Sequence, residues 1–149
     1  MKTVNEILEK KGNQIWSVTP EITVFDALKL MAEKEIGAVL VILDGRVVGI
    51  LSERDYARKV ALYGKSSLQM TVKEIMSANV IYVEISQSVE ECMALMIHKR
   101  IRHLPVYKEG KLAGFISIGD VVKALIDEKE FVIDQLVHYI KDTPPIKNN

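Results

Sequence analysis

The chain has 149 residues, 48% hydrophobic and 27% charged, the balance of one ordinary folded domain or two very small ones. Twenty Lys and Arg cancel twenty Asp and Glu, which argues against a general affinity for nucleic acid or for an anionic membrane. A single cysteine, Cys92, excludes an internal disulfide and a multi-cysteine zinc site. The first sixteen residues carry no apolar signal core, and no window nears the ~18 apolar residues of a membrane span, so the cytoplasm is the expected compartment.

In chain order, an N-terminal helix around Thr3–Leu8 leads to a short β-rich run, Ile15–Val18. Thr23-x-x-Asp26 then opens a helix whose stripe is Val24, Ala27, Leu28 and Met31. Ala38–Leu43 and Val47–Leu51 flank Asp44-Gly45, a hairpin signal, and a helix follows over Ser52–Leu62. The polar stretch Tyr63–Met70 is the expected link between two halves. The second half repeats the order: a run at Val80–Val83, a helix capped by Ser88-x-x-Glu91 with Val89, Cys92, Met93 and Met96 inward, strands Leu104–Lys108 and Leu112–Ile116 around Glu109-Gly110, and a helix over Ser117–Asp127. Lys129–Ile140, with Phe131, Leu136, Val137 and Ile140, reads as one more amphipathic helix. Pro144-Pro145 ends it, and the tail beyond is expected to be mobile.

The doubling is quantitative. A shift of 65 residues lays Ile15–Ala61 on Val80–Ile126 without a gap, and 11 of the 47 positions are identical. They include Gly45/Gly110, Gly49/Gly114, Ser52/Ser117 and Asp55/Asp120. Thr3–Leu8 matches Thr71–Met76 at a shift of 68, so three extra residues sit around Lys10–Asn13. The expected division is therefore 1–70, 71–128 and a tail segment 129–149, with the two units sharing a core as a pseudo-symmetric α/β (α+β) pair.

Chemistry concentrates at Ser52-Glu53-Arg54-Asp55 and Ser117-Ile118-Gly119-Asp120, each placed between a strand and a helix. Capping explains the serine and part of the aspartate. It does not explain Arg54, a cation in the first helical turn where the dipole disfavours it, nor Arg58 one turn along on the same side. A hydroxyl, a helix start and added arginines suit a phosphate, and a carboxylate beside them suits a ribose. Arg102 and His103 stand at the mouth of a second-unit strand, either as ligand contacts or as ordinary loop residues. Other signals fail. Gly64-Lys65-Ser66 lacks the glycine and the strand of a phosphate loop, and His98, His103 and His138 show no metal spacing. Cys92 sits on an apolar stripe, and no nucleophile elbow or paired catalytic carboxylates appear, so an enzyme is disfavoured.

The doubled β-α-β-β-α unit, Val-Gly-Ile-Leu-Ser-x-x-Asp over Val48–Asp55, Ala-Gly-Phe-Ile-Ser-x-x-Asp over Ala113–Asp120 and Arg-His-Leu-Pro-Val over Arg102–Val106 resemble tandem cystathionine-β-synthase-type (CBS) domains. The resemblance spans Thr3 to about Glu128. It implies two units packed sheet to sheet as a Bateman module with two clefts for adenosyl ligands: AMP, ADP, ATP, NAD or S-adenosylmethionine. By position it assigns ribose to Asp55 and Asp120, and phosphate to Ser52, Ser117 and nearby basic residues. The adenine is framed by Trp16, Gly37 and Ala38 in one copy and by Ile81, Arg102, His103 and Pro105 in the other, with Gly119 allowing close approach. It further implies a homodimer that signals to a partner protein, with no catalytic cofactor. The alternative is a ligand-independent dimerisation or scaffold module.

Overall fold

The computed structural model describes residues 2–142. Two three-stranded sheets organise the fold, each with one parallel and one antiparallel pairing. After helix α1 (Val4–Lys11), the first unit runs β1 (Ser17–Val18), α2 (Val24–Lys34), β2 (Ala38–Leu43), β3 (Arg46–Ser52) and α3 (Glu53–Tyr56). After α4 (Val72–Ile75), the second runs β4 (Val83–Glu84), α5 (Val89–Lys99), β5 (His103–Lys108), β6 (Lys111–Ser117) and α6 (Ile118–Asp142). The sheet orders are β1-β2-β3 and β4-β5-β6.

The local signals act as their chemistry requires. Asp44-Gly45 and Glu109-Gly110 all take positive φ, 51° and 75° in the first pair and 51° and 77° in the second, the mirror-image turn that matches strand twist. Thr23 and Ser88 accept the amides of Asp26 and Glu91, each at 3.1 Å, and so start α2 and α5. Both helices end on a left-handed residue, Glu35 and Arg100.

Three elements depart from expectation. The β-rich runs shrink to two-residue strands, with Ser17–Val18 in register on β2 and Val83–Glu84 on β5. The expected helix Ser52–Leu62 changes winding after Tyr56: the amide of Leu62 donates to the carbonyl of Ala57, and a π-helical turn runs over Ala57–Ala61. The expected break near Glu128 is absent. No Gly or Pro interrupts Asp127–Lys129, so the last two predicted helices are one, α6. The side chain of Ile140 and the prolines at 144 and 145 lie outside the described residues.

The core has an exchanged element. In chain order α1 leads into the first unit and α4 into the second, yet each packs on the other one. Val4, Ile7 and Leu8 of α1 join the core formed by Val83, Cys92, Leu104, Val106, Ile116 and Val121. Val72 and Ile75 of α4 join that formed by Val24, Met31, Val39, Val41, Leu51 and Val60. The repeat glycines in the middle of β3 and β6 mark these contacts. A Cβ on Gly49 would stand 2.6 Å from Met76 Sδ, and one on Gly114 would stand 2.6 Å from Leu8 Cδ2. Since Leu8 and Met76 correspond under the 68-residue shift, the exchange is reciprocal.

Candidate functional site

Two clefts lie where the units meet, and each opens beside a Ser-x-x-Asp segment. At the first, Asp55 N donates to Ser52 Oγ at 3.1 Å, and Ser52 N returns a bond to Asp55 Oδ2 at 3.0 Å. This reciprocal cap fixes the carboxylate at the end of β3. Lys59, one turn on, sits 3.2 Å from Asp55 Oδ1 and also donates to the carbonyl of Ile75 in α4 at 2.8 Å. The second cleft repeats the cap: Asp120 N donates to Ser117 Oγ at 3.2 Å, and Ser117 N to Asp120 Oδ2 at 2.8 Å.

The surroundings then diverge. The first cleft, of about 590 Å³, takes Arg54, Arg58 and Lys59 from the first unit and Arg100, Arg102 and His103 from the second. Among the described residues none of these arginines has a carboxylate within ion-pair distance. The charges press on one another: Arg102, and then Arg58, hold the Arg54 guanidinium below its ordinary value. Like charges left unpaired at the junction of two units make the local potential positive. The second cleft, of about 310 Å³, has Lys11, Glu35 and Asp120 instead. Burial raises the pKa of the Asp120 carboxyl, but bonds from Lys11 and the Ser117 amide outweigh it and leave the group below its usual range.

His103 opens β5 and borders both clefts. Its ring lies 5.6 Å from that of Phe115. Burial first, then Lys11, push its pKa down to about 4, while Asp120 and Asp55 oppose and Arg102 adds to the fall. Between the ordinary 6.5 and about 4, the unfolded chain takes up a proton that the folded protein refuses. The His103 contribution is thus complete above pH 6.5 and lost as pH falls towards 4. Urea unfolding of wild type at pH 7 and pH 4.5 is expected to show an excess loss of ~1–3 kcal/mol over His103→Gln. Equal pH dependence in the two proteins contradicts it.

Of the residues singled out from sequence, the structure gathers Gly37, Ser52, Arg54, Asp55, Arg58, Ile81, Arg102 and His103 around the first cleft. Gly37, Ala38, His103, Ser117 and Asp120 surround the second. Trp16, Pro105 and Gly119 line neither. The Trp16 ring lies 4.3 Å beneath the Lys34 ammonium, Pro105 is buried in β5 opposite Phe115, and Gly119 sits in the first turn of α6. Sequence reasoning missed Asn79, Arg100, Lys59 and Lys11. Lys59 carried a signal in its i+4 spacing from Asp55, and Lys11 in its place within the unmatched Lys10–Asn13 stretch.

Among the described residues no helix is long and apolar enough to cross a membrane, and no cluster of His, Cys, Asp and Glu could hold a metal ion. Comparison with known proteins agrees with the doubled architecture. The CBS domain family model matches residues 4–62 and again 72–127. The CBS domain-containing protein CBSX3, mitochondrial, of Arabidopsis thaliana is 36% identical, over 93% of this chain and 72% of its own. A solved CBS-domain protein from Burkholderia ambifaria MC40-6 is 55% identical with a TM-score of 0.82, covering 85% of this chain and 95% of that one. The CBS domain pair of protein MJ0100, solved with 5′-methylthioadenosine and S-adenosyl-L-methionine, shares the fold at 22% identity and a TM-score of 0.74, over 86% and 98% of the two chains. With two matched copies filling most of its length, the chain belongs to the CBS domain family as a tandem pair.

Proposed function

We propose that this CBS pair is a regulatory sensor of adenosyl ligands, with the first cleft as its main nucleotide seat. The observation that carries the reading is the convergence of Arg54, Arg58 and Arg102, unpaired among the described residues, on a cleft that opens at the Ser52–Asp55 cap. The arginines meet phosphate, and Asp55 accepts from the ribose hydroxyls. Such a site gains more from an extended phosphate ligand, ADP, ATP or NAD, than from AMP; the second cleft, with fewer cations, gains less from the added phosphate. The ligands of the MJ0100 pair support the adenosyl class. On this reading the chain is no enzyme: ligand binding favours one arrangement of the units and so alters a surface that a partner protein reads. The exposed apolar side chains of Ile126, Phe131, Ile133 and Leu136 along α6 support a homodimer. A cytoplasmic site of action is part of the proposal.

The reciprocal caps favour a second reading, a scaffold that binds nothing, because they occupy Ser52, Asp55, Ser117 and Asp120 without any ligand. Calorimetric titration with AMP, ADP, NAD and S-adenosylmethionine separates the two. Asp55→Asn keeps an acceptor for the cap but loses the charge, and is expected to weaken the bound ligand by about 10- to 100-fold. Unchanged affinity in this variant defeats the ribose assignment, and silence with all four ligands favours the scaffold.

A further inference from the structure

Lys11 has no equivalent in the second repeat. Under the shift that matches Leu8 with Met76, its position falls on Asn79, a neutral residue of the first cleft. Lys11 is the last residue of α1, followed by Gly12 at φ 89°, and its ammonium turns into the second cleft. There Nζ donates to Asp120 Oδ2 at 2.6 Å and to the carbonyl of Phe115 at 2.8 Å. Ser117 N donates to the same carboxylate oxygen. One oxygen of Asp120 therefore holds a cap amide and an ammonium from an exchanged helix, whereas Asp55 Oδ2 holds Ser52 alone. Asp55 has a lysine of its own, but Lys59 lies on the same helical segment, at 3.2 Å from the other oxygen.

We infer that Lys11 is a built-in competitor for Asp120 and sets the affinity of the second cleft, so that one chain holds an adenosyl ligand tightly in the first cleft and weakly in the second. The inference rests on the adenosyl-ligand reading above. A sugar hydroxyl at Asp120 either takes Oδ2 from the ammonium, exchanging a charge-assisted bond for a neutral donor, or uses Oδ1 of a carboxylate whose charge Lys11 already offsets, and both lose affinity. Partial exposure of the Lys11 side chain gives the displaced ammonium a way into water, so the second cleft is weakened and not closed. The loss corresponds to one hydrogen bond to a charged group, roughly 10- to 100-fold in dissociation constant.

The experiment is calorimetric titration of the full chain with AMP, using wild type, Lys11→Met, Lys11→Arg and Asp55→Asn, each first shown to be folded by urea denaturation. Wild type is expected to show one tight site and one roughly 10- to 100-fold weaker. In Lys11→Met the weak site tightens by that factor and the tight site is unchanged. Lys11→Arg, which keeps a cation against Asp120, behaves as wild type. Asp55→Asn loses affinity at the tight site, which identifies it as the first cleft. Two equal sites in wild type overturn the inference, as does an unchanged weak site in Lys11→Met. A weak site that weakens further in Lys11→Met also overturns it, since Lys11 then helps to hold the ligand. No uptake of AMP by wild type or any variant overturns this inference, and silence with ADP, NAD and S-adenosylmethionine as well overturns the adenosyl reading itself.

Discussion

Replacing Leu8 by aspartate is expected to unfold the second unit and to carry the first with it. Leu8 is 7% exposed, stands among residues of the second core and fills the space over Gly114. Losing the leucine and burying a carboxylate without a partner costs about 3–6 kcal/mol. A domain of this size holds only ~5–15 kcal/mol in all. The units share exchanged helices, so damage in one core removes a wall of the other's support. With a urea slope of about 1–3 kcal/mol per molar, the midpoint falls by at least ~1 M or the protein is unfolded in buffer. Glu9→Gln, on the exposed side of the same helix, is the control and leaves the midpoint in place. Should Leu8→Asp unfold at the wild-type midpoint, α1 is not part of the second core.

The double substitution Arg54→Ala with Arg102→Ala is the second large effect. It removes one cation from each side of the first cleft, so neither unit alone compensates. With about 1.5–3 kcal/mol for each charged hydrogen bond, the affinity for ADP is expected to drop by about two to four powers of ten. Adenosine, which carries no phosphate, keeps its affinity within a few-fold. The unliganded variant is no less stable than wild type, because Arg54 and Arg102 repel one another. Calorimetry with both ligands reads the difference. Equal losses for adenosine and ADP remove the arginines from the phosphate role, and no loss for either leaves them as surface charge.

Much of this was legible in the chain itself, and the reason is periodicity. The Asp-Gly and Glu-Gly turns, the Thr23 and Ser88 caps and the apolar stripes of α2 and α5 are local signals, and each is realised locally. The Ser52–Asp55 and Ser117–Asp120 caps were equally plain, since the three-residue spacing is itself the capping signal. What stayed hidden is whatever depends on distance in space alone. The exchange of α1 and α4 is invisible to any repeat alignment, because an exchanged helix and an unexchanged one have the same sequence. Gly49 and Gly114 held a hint of it, as glycines inside strands record close approach by something else. Lys11 and Asp120 are 109 residues apart and meet only through that exchange. Trp16, Pro105 and Gly119 stand outside the linings of both clefts, since a position carried over from a family pattern does not fix a side chain's place in space.

The reciprocal loan of α1 and α4 gives the chain the logic of a swapped dimer written on one polypeptide. Neither half owns all of its interior, so a lone unit would offer a vacant groove over its third strand and a spare leading helix. Both defects are cured at once by a twin that carries the same two. Joining the twins through Tyr63–Met70 turns a concentration-dependent encounter into an intramolecular one, and the two sequences are then free to drift apart. The arginines of one cleft and the Lys11 contact of the other are differences of that kind. An association of identical subunits would impose both on both sites, whereas a covalent pair assigns each to one.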